Sequence, residues 1–433
     1  MSLNRTLAPT AFPITRIELM RPEYIAFDNG IQGYLFQAND QELLRLEWIF
    51  DNQYERTENN WNHLATAQLL LEGTLKHNSA QIAHMIDYYG AFLIPEYSYD
   101  TTSLTLYCLR KHLTHLLPIV MEILQQANFP EEEIQTFIRN NIQKLQVSLQ
   151  KNDFVARRKL LGEVFGQTRY GLSPKLEDYQ GLDVALLKTL FTEQFATNKC
   201  TLVLAGNWSK AHIDVLRKSM EEGWNRISAI RKPTIPVFPE VITKELQLEY
   251  KPDAMQSAIR LGQRCMTRNH ADFPGFQLVS TLFGGYFGSR LMSNIREDKG
   301  YTYGIHSGIV PMRHSGLWSI ATEVGVTVTG ATLHEIRIEL DRLHQEFVDP
   351  EELNLVKNYM AGSFVGSLEN VFSHADRFKN AHLSGLDLSY YDRYQEQISS
   401  IGPSEVMAIA QEYFKFDSLC KVVVGQLPDE NML

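Results

Sequence analysis

Hydrophobic and polar positions alternate with a period of two in the opening stretch, then switch to a helical period. Residues 14–50 carry the runs I-T-R-I-E-L, G-Y-L-F-Q and L-L-R-L-E-W-I-F, with a D-N-G turn at Asp28 to Gly30, and predict strands. Helical periodicity follows over 61–72 and 79–89, with Gly90 stopping the second helix. Two more strands are predicted over 91–98 and 101–109, then three long helices to about residue 166. One of these is opened by Pro130, with Glu131, Glu132 and Glu133 in the first turn, where carboxylates suit the positive end of the helix dipole. A helix at 183–194, the strand C-T-L-V-L-A-G at 200–206 and a helix closing near 221 complete this half.

The pattern then starts again. P-E-E-E-I at Pro130 is echoed by P-E-E-L-N at Pro350, and the strand opened by Cys200 by the strand opened by Cys420, both 220 residues on. The glycine-ended helix and strand pair at 79–109 is echoed at 287–324. A period this long means a duplicated domain rather than a solenoid. Residues 222–245, with Trp224, Pro233, Pro236 and Pro239 among charges, have the composition of a linker. The expected division is therefore an N-terminal domain at 1–221, a linker at 222–245 and a C-terminal domain at 246–433. Strands cluster and helices come in runs within each half, so the predicted class is α+β: two homologous halves, each a mostly antiparallel sheet with helices packed on one face.

Composition narrows the function. At 433 residues with 44% hydrophobic and 21% charged positions, the chain reads as a soluble globular protein of two or more domains. A formal net charge of -10 argues against nucleic acid and anionic membrane surfaces as partners. No stretch approaches the ~18 apolar residues of a membrane span, and the N-terminus lacks the apolar core of a signal peptide. Cys108, Cys200, Cys265 and Cys420 lie far apart in or beside apolar runs and read as reduced thiols. The expected compartment is cytoplasmic, or periplasmic if a leader has been removed.

The chemistry concentrates in L-F-G-G-Y-F-G-S-R-L-M-S-N-I-R-E-D-K-G-Y-T-Y-G at 282–304. Glycines Gly284, Gly285 and Gly288 precede an amphipathic helix carrying Leu291, Met292, Ile295 and Arg296; Gly300 ends it, and a strand is predicted from Tyr301. Arg296 and Tyr303 stand seven residues apart, so a turn between them could aim both at one spot. A guanidinium fork and a phenol suit a peptide carbonyl or a developing oxyanion. The plainer alternative is a helix-to-strand corner with one surface Arg and one half-buried Tyr.

Two α+β halves with G-G-x-x-x-S-R-L-x-x-x-I-R-E-x-x-G-x-x-Y in the second resemble the pitrilysin/insulinase superfamily of zinc peptidases, in particular its processing-peptidase-like branch. The resemblance implies a LuxS/metallohydrolase-like peptidase fold. It also implies that Arg296 and Tyr303 contact a substrate across a cavity from the metal, with Gly284, Gly285 and Gly288 forming a loop that lets peptide approach. The family's metal site is His-x-x-Glu-His on a first-half helix, ending about five residues before a Gly-Thr, with a further Glu about 76 residues on. Counting back from Gly73-Thr74, those positions fall on Leu64, Ala67 and Gln68, and the downstream carboxylate falls near Gln143 and Lys144. His63 is one residue out of register. Active members use an edge strand to pair with peptide, and this chain has Ile94-Pro95 there, a proline that cannot donate to an added strand.

Other histidines offer little. His112 and His115 share a helix face with no obvious carboxylate, and His334-Glu335 and His344 are too far apart along one helix for a single ion. The implied function is a non-catalytic subunit of a heteromeric zinc metalloendopeptidase. It binds no zinc itself and lends Arg296 and Tyr303 to a homologous zinc-bearing partner acting on a peptide, in a heterodimer or larger assembly. The alternative is a structural or peptide-binding subunit with no part in proteolysis. A third reading, an active peptidase whose ligands lie in another register, has no ligand set to support it.

Overall fold

The computed structural model describes residues 17–52, 60–224, 227, 236–239 and 245–428. The expected strand at Ile14 therefore falls partly outside the described residues, as does most of the 222–245 linker, Pro233 included. The first half runs β1 (Glu23–Ala26), β2 (Gln32–Gln37), β3 (Leu43–Asp51), α1 (Asn60–Gln68), α2 (Ser79–Asp87), β4 (Phe92–Tyr97) and β5 (Thr101–Leu109). It continues with α3 (Leu113–Gln126), α4 (Glu131–Ser148), α5 (Asn152–Phe165), α6 (Val184–Gln194), β6 (Cys200–Gly206) and α7 (Lys210–Glu221). The second half runs β7 (Leu246–Tyr250), β8 (Gln256–Cys265), α8 (Phe273–Gly284), β9 (Ile305–Pro311) and β10 (Gly316–Gly325). Then come α9 (Thr329–Gln345), α10 (Pro350–Gly366), α11 (Val371–Leu383), α12 (Ser389–Ser400), α13 (Pro403–Tyr413) and β11 (Cys420–Gly425).

The first sheet has six strands in the order β1-β2-β6-β3-β5-β4, and the second five in the order β7-β11-β8-β10-β9. Both are antiparallel except for one parallel pair at the same place in each, β2 with β6 and β7 with β11. Set β1 aside and the two orders coincide, which is the repeat seen in the sequence. On one face of each sheet the half's own helices bury a large apolar core, built around Leu46, Trp48, Leu204 and Leu117 in the first and Leu261, Trp318, Phe276 and Phe414 in the second.

The opposite faces are covered by exchange. Helix α5 lays Val155, Ala156, Leu160 and Val164 on Ala258, Cys420, Val422 and Val424 of the second sheet. Helix α11 lays Val371, Ala375 and Phe378 on Phe36, Ile49, Val203 and Ala205 of the first. Strands β6 and β11 are thus buried on both faces, and each reads as a continuous apolar run. Charges lock both contacts. On α11, Asp376 pairs with Arg45 at 3.0 Å and Lys379 with Glu47 at 2.8 Å. On α5, Asp153 pairs with Arg260, and Lys159 with Glu249 at 2.6 Å. Gly262, opposite Leu160, has no room for a side chain: a Cβ there would lie 2.9 Å from the Trp318 carbonyl and 3.1 Å from Leu160.

A second junction joins the hairpin tips. Asp100, between β4 and β5, accepts from buried Arg169 at 2.7 Å, from the Tyr170 hydroxyl at 2.7 Å and from the Arg313 backbone N–H at 2.9 Å. Arg313, between β9 and β10, also pairs with Asp51. Beside it Phe238 stacks on Tyr170 at 6.0 Å, and Pro239 lies where a side chain on Gly166 would need to be.

Breaking a buried ion pair strands the remaining charge and costs roughly 3–5 kcal/mol, whereas replacing both partners by apolar groups is near neutral. Glu47 and Lys379 are well covered, at 5% and 22% side-chain exposure. Glu47→Ala leaves Arg45 and Lys379, two covered cations, sharing Asp376 alone; it is expected to lower unfolding stability by about 3 kcal/mol in urea titration, and Glu47→Leu with Lys379→Met to recover most of it. A single variant within about 1 kcal/mol of the wild type would contradict the pairing as described.

Candidate functional site

The first-half helix carries none of the expected ligands into a shared space. After α1 a single turn, Leu69–Leu71, leads to the Gly73-Thr74 corner. Gly73 is required there, since a Cβ would lie 2.6 Å from Asn128 and 2.8 Å from Pro130. Thr74 donates its hydroxyl to Glu122, which also meets His77 at 2.9 Å. Burial opposes ionisation of Glu122, but these hydrogen bonds from Thr74 and His77 hold its carboxyl below the usual range. Of the degenerate motif positions, Leu64 is half-buried, Ala67 is fully buried and Gln68 is exposed. Gln143 and Lys144 lie exposed on α4. His63 turns to α6, where its Nδ1 lies 3.4 Å from Gln194.

The remaining histidines have other neighbours. His112 and His115 flank the Tyr89 ring at 5.0 and 5.3 Å. His344 meets the Phe414 carbonyl at 2.9 Å, while Glu335 meets Lys299 at 3.4 Å and Asn294 at 3.0 Å. Among the described residues no three His, Cys, Asp or Glu side chains gather as a metal site. The four cysteines are free, and burial pushes the Cys108 and Cys265 thiols up to about 12, which makes them poor thiolate ligands. Strand β4 is the edge of its sheet, with Pro95 opposite Leu104 and the apolar side chains of Phe92 and Ile94 exposed.

The second-half element differs from its expected form in three respects. Gly284 is the buried last residue of α8 rather than part of an open loop. A side chain there would lie 2.6 Å from Ser307, whose hydroxyl accepts from Trp318 at 2.9 Å. Close packing of α8 on β9 is what requires this glycine. Gly285 caps α8, and Gly288 alone lies in the short exposed turn beyond it. The following helix is a π-type turn, Met292–Asp298, in which the Lys299 N–H reaches back to the Asn294 carbonyl at 3.0 Å. Wide turns of this kind are often found at functional sites. The strand starts at Ile305 instead of Tyr301, because the Thr302 hydroxyl donates to the Glu323 carbonyl at 2.8 Å and folds 301–304 into a turn against β10. Gly300, at φ +66°, provides the left-handed residue that ends the helix.

These details set the two predicted side chains. The Arg296 guanidinium lies 4.5 Å from the centre of the Phe287 ring and 4.0 Å from the Glu297 carboxylate. A cation over an aromatic face is held by about 0.5–1 kcal/mol at an exposed site. Tyr303, on the turn fixed by Thr302, is 95% exposed. The structure thus brings Arg296 onto the glycine-bearing turn through Phe287, and presents Tyr303 to solvent from the next turn. Phe287 was missed by sequence reasoning, although F-G-S-R at 287–290 placed an aromatic within the glycine cluster.

Known proteins share this architecture. Residues 181–360 match the family model described as the peptidase M16 inactive domain, a segment that contains the whole 284–303 motif. The chain is 24% identical over 372 residues to the non-peptidase homolog YmxG of Helicobacter pylori, covering 83% of each. It is 22% identical over 379 residues to the uncharacterized zinc protease YmxG of Bacillus subtilis, covering 86% of this chain and 90% of that one. The crystal structure of a peptidase M16 inactive domain from Pseudomonas fluorescens superposes with a TM-score of 0.84 at 20% identity, over 94% of this chain and 98% of that one.

The residues of α1 and α4 fit no zinc shell, since an aliphatic, a methyl and an amide stand at the motif positions. Elemental analysis of tag-free chain purified without chelator should find far less than one zinc per chain. A tightly held stoichiometric zinc would contradict the site as described.

Proposed function

We propose that the chain is the non-catalytic subunit of a heteromeric zinc metalloendopeptidase, a reading supported by the match of residues 181–360 to the peptidase M16 inactive domain and by the fold shared with an M16 inactive-domain structure. The observation that carries this is an asymmetry between halves. Every ligand position of the first half is without a ligand, while the second half displays Arg296 on the Phe287 ring and Tyr303 in the open. Side chains held outward on a rigid turn suit a task completed by another surface.

In this reading a homologous partner supplies zinc and the activated water. Arg296 and Tyr303 donate to the carbonyl oxygen of a bound peptide, and more strongly to the tetrahedral oxyanion that follows. Such donors matter most in a water-poor site, and Tyr303 acquires one only when the partner covers it. The Arg296 guanidinium brings a fixed fork of N–H groups that Phe287 pre-orients. Four free cysteines, three of them buried, favour a reducing compartment such as the cytoplasm for this assembly.

A purely structural or peptide-binding subunit is the second reading, favoured by Pro95 on the edge strand that would otherwise pair with peptide. Kinetics of the assembled enzyme separate the two. Removing one oxyanion donor costs on the order of 3 kcal/mol, so Arg296→Ala or Tyr303→Phe should slow turnover by ~100-fold with a smaller change in KM. An assembled double variant running at full rate would sink the catalytic contribution and leave the structural subunit.

A further inference from the structure

A cleft of about 250 Å³ opens among α8, α10, α11 and α12, with Gly285 at the end of α8 in its lining. Two arginines, Arg268 and Arg377, line it together with the phenols of Tyr390, Tyr391 and Tyr394, and no Asp or Glu does. This departs from the habit of the chain. Arg45, Arg169, Arg260, Arg290 and Arg313, the well-covered arginines in its ion pairs, each lie against a carboxylate. Arg377 instead donates to the Ser367 hydroxyl at 2.5 Å and lies 4.8 Å from the centre of the Phe364 ring, while Arg268 lines the cleft beside Tyr390. Both guanidiniums act on the same two phenols, Tyr391 and Tyr394. The cleft therefore concentrates two positive charges with no carboxylate among the described residues that line it; of its phenols, Tyr391 already donates to the Arg377 carbonyl at 2.8 Å.

The phenols remain donors at any physiological pH: burial pushes Tyr390 up to about 12 and raises Tyr391 as well. Phe364 and Met360 add an apolar wall beside the polar one. The repeat gives the cleft a definite place. Counting 213 residues from Leu64 and Gln68 reaches Gln277 and Thr281, and 220 from Gln143 reaches Ser363; all three second-half residues line the cleft. The second half has kept a polar cavity at the positions corresponding to those that are degenerate in the first.

We propose that this cleft binds a phosphate group, carried by a small phosphate monoester or present as free phosphate. Charge selects phosphate over carboxylate: a monoester carries about -1.5 to -2 at pH 7, against one charge for a carboxylate, and so matches two guanidiniums. The apolar wall beside them favours an ester with an apolar body.

Calorimetry and ³¹P line broadening on the full chain test this with phenyl phosphate, inorganic phosphate and benzoate as probes. Phenyl phosphate should bind saturably, and Arg268→Gln should weaken it by at least about tenfold, the ratio expected for one lost charge-assisted hydrogen bond. Arg268→Lys should retain part of the affinity. Because Arg377 also braces α11, Thr281→Asp gives an independent check: it adds a negative charge to the wall on an accessible face of α8 and should abolish binding with the unfolding midpoint unchanged. Tighter binding of phenyl phosphate than inorganic phosphate identifies a monoester, and the reverse order identifies free phosphate. Benzoate binding as tightly as phenyl phosphate, no saturable binding of either phosphate, or full affinity in Thr281→Asp would overturn the proposal.

Discussion

Neither sheet of this protein is covered on both faces by its own half. Each buries one face under local helices and the other under a single helix sent across from the opposite half, α5 in one direction and α11 in the other. Each contact carries an arginine of the sheet paired with an aspartate of the incoming helix, Arg45 with Asp376 and Arg260 with Asp153. Removing either helix would expose a sheet face built from Val, Ile, Phe and Ala, at roughly 25 cal/mol for every Å² of apolar surface returned to water. The halves are therefore bound to one relative placement, and the Asp100 junction fixes the hairpin tips in register with it.

That constraint gives the second-half turn its stability. Arg296 and Tyr303 sit on a short π-type helix and a turn, elements that would be mobile alone. They are held because Gly284 lets α8 press on β9 and Thr302 ties the turn to β10. A rigid scaffold presenting a few outward side chains suits a site whose other wall belongs to a second molecule. The first half has the same scaffold without the chemistry: α1 keeps its corner at Gly73-Thr74 while Ala67 packs as a core residue. The same fold is seen in an M16 inactive-domain structure, and a fold does not by itself fix the chemistry it carries.

Much of this was legible in the amino-acid sequence. The strand runs at 43–51, 101–109 and 200–206 and the helices opened by Pro130 and Pro350 lie where periodicity put them. The duplication was readable because proline and cysteine recur 220 residues on and the helix-ending glycine at a similar offset. What the pattern did not reveal is which element covers which face. Periodicity reports that a face is buried, and Arg45 and Glu47 on β3 even imitate a solvent-facing alternation; they are buried because α11 arrives with Asp376 and Lys379 to pair them. The early strand expected at Tyr301 failed for a similar reason, since a Thr302 hydrogen bond to a carbonyl 21 residues on outweighs the β preference of Tyr-Thr-Tyr. The arginine-lined cleft has no linear signature, because its residues come from four separate helices and the β8–α8 connection.

The central claim is that this chain completes a peptidase whose zinc lies elsewhere. The most direct measurement is the rate at which a zinc-bearing homologue from the same cell hydrolyses a fluorogenic peptide as this chain is titrated in. The account predicts little hydrolysis by either chain alone and a rate that climbs and saturates at a fixed ratio of the two. A homologue already at full rate alone, unmoved by any excess of this chain, would contradict it.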